Sequence, residues 1–363
     1  MSARRGLIGL GVGIAAAGAA TAAGLATDRV LRSRRAETEP PPAAGVVGVV
    51  DDGTDHGIAV IAEDGVPLHV EIEEPAHPET PLLTVIFTHG YAHNLDVWSR
   101  QRQTVLDAGC RVVLWDLRGH GRSEEGTDSS YSIEQLGRDL ATVIEGAVPE
   151  GPIVLVGHSM GGMAMMAFAE QHPDLLRDRV VGVAFISTSA GGLSEVNYGL
   201  GKQLGAIVHR LGPSAVTRVG SRQDVFDNVR GLGKPVESVL VHRYSFGKRV
   251  PSELVRQVAE MIFATRLHVI GTFLPTLMAH DRHDALAAFT GIETLVMHGT
   301  RDRMTPIAHA EQLAHAIPGA ELVVVKHAGH VLPLEEADLV DDELLGLIAR
   351  ARRSLEQQPT EPR

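Results

Sequence analysis

Val154-Leu155-Val156-Gly157-His158-Ser159-Met160-Gly161-Gly162 sets a serine in a Gly-x-Ser-x-Gly frame directly after an apolar run. Ala164-Met165-Met166-Ala167-Phe168-Ala169 follows and reads as a helix. Strand, tight turn and helix in that order make a nucleophile elbow. Gly157 and Gly161 permit the turn, which lifts the Ser159 hydroxyl above the sheet, and the helix aims its first N–H groups at developing negative charge. The chemistry this suits is attack on a carbonyl. A serine hydroxyl is a weak nucleophile until a base takes its proton, so a carboxylate and a histidine must follow in the order Ser, Asp, His.

Eighteen histidines compete for the base. Glu321-Leu322-Val323-Val324-Val325 reads as a strand, and Lys326-His327-Ala328-Gly329-His330-Val331 is the loop after it. His330, behind Gly329, is the expected base; His327, nearer the strand, is expected to be structural or on the surface. For the acid, Leu295-Val296-Met297-His298-Gly299-Thr300-Arg301-Asp302 places Asp302 just past a strand end, 28 residues before His330. The preceding strand ends on Ser187-Thr188-Ser189 and offers no acid, and Asp284 reads as a surface charge.

These residues need a scaffold. Val66, Leu68, Val70 and Ile72 alternate over 66–73, and short apolar runs lie at 82–87, 111–115, 152–156, 179–186, 294–298 and 321–325. Helical stretches fall near 95–108, 132–147, 161–171, 307–316 and 337–353. Strands alternating with helices require a mostly parallel sheet covered on both faces. About 105 residues between Ser187 and Thr294 break the alternation, and there Leu254, Val255, Val258, Met261 and Ile262 follow helical spacing. Two readings fit this segment: a helical insertion packed on the sheet domain, or a lid over the site.

On these motifs the chain resembles the α/β-hydrolase superfamily from about residue 57 to 353. Thr88-His89-Gly90-Tyr91 is similar to the family's oxyanion turn, and Asp116-Leu117-Arg118-Gly119-His120-Gly121-Arg122-Ser123 to its common loop after the following strand. Gly299-x-x-Asp302-x-x-x-Pro306 and Gly329-His330 complete the set with the elbow. The resemblance implies a mostly parallel eight-stranded sheet with helices on both faces and a helical cap between the sixth and seventh strands. It implies an oxyanion hole from the backbone N–H groups of Tyr91 and Met160, and turn-stabilising roles for His89 and Asp116. The expected division is an N-terminal apolar segment over 1–35, a Pro-rich linker over 36–56, the hydrolase core over 57–189 and 291–353, the cap over 190–290, and a polar tail over 354–363.

Met261, Phe263, Phe273 and Met278 in the cap either line an apolar acyl pocket or form the cap's own core. His280-Asp281-x-His283-Asp284 matches no standard metal spacing, and a serine mechanism needs neither metal nor cofactor, so none is expected. The implied activity is hydrolysis of a carboxylic ester with an apolar or lipid-like acyl group, through an acyl-enzyme on Ser159. Peptidases, carbon–carbon bond hydrolases and the cofactor-free haloperoxidase/perhydrolase group share the triad and stay open. Epoxide hydrolases and haloalkane dehalogenases of this fold use an aspartate nucleophile, against which Ser159 speaks. A non-catalytic ligand-binding protein on the same scaffold is the alternative of another class.

Composition narrows the partners. The chain has 363 residues, 44% hydrophobic and 21% charged, as a globular protein does. One cysteine, Cys110, excludes an intramolecular disulfide framework. The net charge is −12, and residues 1–35 hold six arginines against one acid, so the body is more acidic still. Such a body repels a phosphate backbone, which argues against nucleic acid and for a small-molecule substrate.

Residues 6–27 carry no charge and are long enough to span a bilayer, although 14 of the 22 are Gly or Ala. The expectation is a single-pass membrane anchor with the catalytic domain leaning cytoplasmic. Export after signal cleavage is the alternative, opposed by the four arginines at 29–35. Deleting residues 1–35 is expected to leave an active enzyme in the soluble fraction, while the full chain sediments with membranes. Full-length protein of uncleaved mass in the soluble fraction would refute the anchor, and a mature N-terminus near residue 23 would favour export.

Overall fold

The computed structural model describes residues 48–51, 57–196 and 234–357. The apolar segment over 1–35, most of the linker, the first part of the cap and the residues after 357 lie outside the described residues. Among the described residues no single helix is long and apolar enough to cross a membrane.

One sheet contains β1 (Gly48–Asp51), β2 (Gly57–Ile61), β3 (Pro67–Glu73), β4 (Thr84–Thr88), β5 (Arg111–Trp115), β6 (Ile153–His158), β7 (Val180–Ile186), β8 (Glu293–Gly299) and β9 (Glu321–Val325). Their spatial order is β1-β2-β3-β5-β4-β6-β7-β8-β9. Every pairing from β5 to β9 is parallel, and β1, β2 and β3 add antiparallel pairings at one end. The sheet is mostly parallel, as expected, with nine strands where eight were expected. The added strand is β1, inside the stretch expected to be linker. It is a four-residue edge strand with one neighbour and an exposed Val49, too short to carry a readable pattern.

Helices cover both faces. They are α1 (Ser99–Asp107), α2 (Ile133–Ala147), α3 (Met160–Gln171), α4 (Pro173–Arg179), α5 (Lys234–Ser245), α6 (Ser252–Ala264), α7 (Leu267–Ala279), α8 (Ala308–Ala316), α9 (Leu332–Glu335) and α10 (Ala337–Gln357). On one face α2, α3 and α8 contribute Leu136, Leu140, Met165, Phe168 and Leu313 to a common core. On the other, α1 and α10 contribute Val105, Leu344, Leu347 and Ile348. Strands β4, β6 and β7 sit between these layers and are apolar almost without interruption, because neither side of them meets water. Helix α2 buries Ile133, Leu136, Leu140, Val143, Ile144 and Ala147 at helical spacing, and the Ser132 side chain caps it by accepting from Gln135 N–H at 3.1 Å. Helix α3 is buried from Met160 through Ala169, which suits its lack of any polar face there.

The described part of the cap is α5, α6 and α7. Phe273 and Met261 are buried in the two clusters that pack on the faces of the sheet, Phe263 is buried, and Met278 is partly buried. Phe273 joins cap to sheet domain by packing on the rings of Tyr131 and His120, with centroids 5.1 and 5.7 Å away.

One buried ion cluster ties the loop after β5 to α2. Arg118, fully buried, donates to both carboxylate oxygens of Asp139 at 2.6 Å and to Asp64 at 2.7 and 3.2 Å. Removing one partner of such a pair strands the other charge out of water. Asp139→Ala is expected to lower unfolding free energy by about 3 kcal/mol, the low end for a broken buried pair because Asp64 remains. Urea denaturation measures this, and a loss below about 1 kcal/mol would show that Asp64 alone satisfies Arg118.

Candidate active site

Ser159 sits between β6 and α3 with φ +52° and ψ −118°, a conformation L-residues seldom adopt. The surroundings force it. Ser159 N–H donates to the Ile186 carbonyl of neighbouring β7 at 2.9 Å, and its own carbonyl accepts from Gly162 N–H at 3.0 Å and Thr188 Oγ1 at 2.7 Å. A side chain at Gly161 would run into the Thr88 carbonyl, so the turn can be this tight only with glycine there.

The structure brings the three expected residues together. Ser159 Oγ lies 3.0 Å from His330 Nε2, and His330 Nδ1 lies 2.8 Å from Asp302 Oδ2. Their carriers are the ends of β6, β8 and β9, three strands of one parallel array whose C-terminal ends share one edge. Asp302 Oδ1 accepts from Met304 N–H at 2.8 Å and Thr305 N–H at 2.9 Å, and Oδ2 accepts from the Thr305 hydroxyl at 2.8 Å. His298 Nε2 stands 3.3 Å from Oδ2 and also donates to the Thr305 carbonyl. Burial pushes the Asp302 carboxyl up, but the two histidines and the hydrogen bonds outweigh it and hold it well below the carboxylate range. An ionised Asp302 fixes the proton of His330 on Nδ1 and leaves Nε2 free to accept from Ser159.

Other candidates fall elsewhere. His327 is exposed, with φ +65°, and Asp284 is exposed. His280 is buried with Nε2 on the Ser189 carbonyl at 3.1 Å, while His283 is exposed and pairs with Asp281 at 2.7 Å. His89 accepts from Leu117 N–H at 2.9 Å and donates to the Gly90 carbonyl at 2.8 Å. Asp116 accepts from Leu95 and Arg122 N–H, both at 2.8 Å. Both therefore brace turns. In the oxyanion turn, Ala92 N–H donates to His120 Nε2 and His93 N–H to the Gly90 carbonyl. Tyr91 N–H and Met160 N–H, by contrast, have no acceptor among the described residues. The Tyr91 hydroxyl donates to the Ile270 carbonyl of α7, which fastens that turn to the cap.

Ser159, His330 and Asp302 thus form one hydrogen-bonded chain, and the N–H groups of Tyr91 and Met160 are uncommitted among the described residues. Residues 85–343 match the model of the alpha/beta hydrolase family. The chain belongs to that family. This α/β hydrolase is 26% identical over 284 residues to the putative carbamate hydrolase RutD of Variovorax paradoxus (strain S110), covering 78% of this chain and 97% of that protein. It is 26% identical over 305 residues to the bifunctional esterase/perhydrolase DCH of Acinetobacter calcoaceticus, covering 80% and 98%. Among solved structures it is similar to an esterase from Exiguobacterium antarcticum, with TM-score 0.63, 21% identity, and 79% and 97% of the two chains covered.

Three residues of the site escaped the sequence reading. Thr305 and His298 surround Asp302, and His158 donates from Nε2 to the His330 carbonyl at 2.9 Å. His158 and His298 lie inside motifs already singled out, yet only the contact across strands assigns them a partner.

The α/β hydrolase also buries histidines in neutral form. Burial holds His89 and His93 well below the usual imidazole range, aided by neighbouring histidines. Burial takes His120 and His280 down to about 4, and burial with His330 close by takes His158 down to about 3. Below about pH 6.5 the unfolded chain takes up protons at these sites that the native state refuses, so stability present above that pH is lost as pH falls. Asp116, raised to about 6 by burial, and Asp139, also raised by burial, act in the opposite direction but are outnumbered. Unfolding free energy is expected to fall between pH 6.5 and 4 by about 1.4 kcal/mol per pH unit for each net proton. Urea melts across that window measure it, and a flat profile would show that the histidines are not kept neutral.

Proposed function

We propose that this α/β hydrolase cleaves carboxylic esters of apolar or lipid-like acyl groups by a serine mechanism. The observation that carries the reading is the continuous chain Ser159 Oγ, His330 Nε2, His330 Nδ1, Asp302 Oδ2, with links of 3.0 and 2.8 Å. Ser159 Oγ attacks the ester carbonyl as His330 Nε2 takes its proton, and Asp302 stabilises the imidazolium that forms. The carbonyl oxygen, now an oxyanion, accepts from Tyr91 and Met160 N–H, an interaction whose loss costs about 3 kcal/mol per donor. Collapse expels the alcohol, which takes the proton from His330. Water then repeats the sequence on the acyl-enzyme and regenerates Ser159.

The apolar preference is carried by the apolar residues of the cap sequence, Met261, Phe263, Phe273 and Met278, and the cap is fastened near Tyr91 through the Ile270 carbonyl. Similarity to a bifunctional esterase/perhydrolase favours a second use of the same acyl-enzyme, with hydrogen peroxide in place of water. The uncharged stretch over 6–27 supports a membrane-anchored body on a Pro-rich tether, leaning to the cytoplasmic side.

Against p-nitrophenyl esters of graded chain length, Ser159→Ala is expected to abolish turnover and labelling by a fluorophosphonate while leaving the fold intact. His330→Ala is expected to match it and His327→Ala to be mild; the reverse order would move the base to His327. Asp302→Asn is expected to lower kcat by a factor on the order of 10⁴. A loss below about tenfold would place the orienting acid elsewhere.

A further inference from the structure

The backbone of His330 is held from two sides. Its carbonyl accepts from His158 of the elbow at 2.9 Å, and its N–H donates to the Ser245 carbonyl at the end of cap helix α5, also at 2.9 Å. Val331 N–H donates to that same carbonyl at 2.9 Å. Two residues further into the cap, the two chains touch backbone to backbone. A Cβ on Gly329 would stand 2.5 Å from Gly247 N, and one on Gly247 would meet the His327 carbonyl.

The buried Glu335 closes this junction. Its carboxylate accepts from Gly247 N–H and Lys248 N–H, both at 2.9 Å, and from Gly329 N–H at 2.6 Å. One side chain therefore binds the cap segment at Gly247 and Lys248 and the residue next to His330 at once. A carboxyl group has two oxygens that can each accept from more than one donor, and Glu335 gathers three N–H groups. The acid loop is tied to the same cap segment, through Arg301 Nη1 to the Gly247 carbonyl at 2.9 Å and Arg303 Nη1 to the Arg243 carbonyl at 2.8 Å.

We propose that the cap segment over 243–248, fastened by Glu335, holds His330 in register with Ser159. Glu335 is then a positioning residue for the base, and the cap is part of the catalytic frame as well as a cover. This rests on the reading of Ser159 and His330 as nucleophile and base.

The test compares wild type with Glu335→Gln, using a short p-nitrophenyl ester and a small fluorophosphonate, neither of which needs an extended cap pocket. A glutamine keeps the size but turns an amide N–H₂ toward one of the three donors. A base displaced by less than an ångström is expected to cost a factor on the order of 10 to 100 in kcat with KM nearly unchanged. Labelling of Ser159 is expected to slow by a similar factor. A raised KM with kcat and labelling unchanged would show that the junction only shapes the pocket, and overturns the proposal. Should Glu335→Gln fail to fold, the double variant Arg301→Ala/Arg303→Ala, at two surface side chains, decides. A several-fold loss of kcat at constant KM supports the proposal, and parity with wild type overturns it. An active wild type matched by Glu335→Gln overturns the proposal alone, whereas a wild type that neither turns over nor takes the label overturns the serine-hydrolase reading as well.

Discussion

A carboxylate out of water stays ionised only if fixed dipoles and cations replace its hydration, and around Asp302 the chain supplies that replacement. Met304 and Thr305 give backbone N–H groups, Thr305 adds its hydroxyl, and His298 and His330 close in on Oδ2. Each donor depends on something larger. The N–H groups need the turn after β8, His298 needs the end of the strand itself, and His330 needs β9 in parallel register one place further out. The serine follows from the same register, since β6 lies beyond β7 and ends at the same edge. The ionised acid is therefore the point at which the sheet topology gathers Ser159, His330 and Asp302 into one hydrogen-bonded chain.

Local signals were readable from sequence and contacts were not. The elbow could be recognised because strand, glycines and helix are consecutive, and the order Ser159, Asp302, His330 follows the order of strand ends. The buried strands declared themselves because both of their faces are covered, so they are apolar almost without a break. β1 is a short edge strand, and its sequence resembles the linker that leads to it. Helix α4 is seven residues long, with only Leu176 buried, which is too little for a periodic pattern. Glu335 is legible only in three dimensions: three N–H groups from two segments converge on it, and none of them is near it in sequence except Gly329.

The histidines show how the same residue type is put to different use by burial. His330 keeps one edge toward Ser159, whereas His89 and His120 spend both nitrogens on backbone groups and His158 spends Nε2 on one. A neutral imidazole both donates and accepts, so it can join two turns that a hydroxyl or an amide would reach less rigidly. The turn after β4 is built this way: its own His89 accepts from Leu117 N–H of the loop after β5, and His120 of that loop accepts from Ala92 N–H.

Where the chain leaves the sheet domain for the cap and where it returns are side by side. Gly191 bridges to Asp281, and Arg282 N–H donates to the Ala190 carbonyl at 2.6 Å. The intervening residues form a loop whose ends are already closed, and the entropy of closing a loop grows only with the logarithm of its length. Insertions or losses inside the cap therefore transmit little strain to β7 or β8. The segment between these ends can vary in length and sequence at little cost to the sheet. That freedom stops at the few residues from Arg243 to Lys248, where diversification would have to preserve a backbone fit to the base.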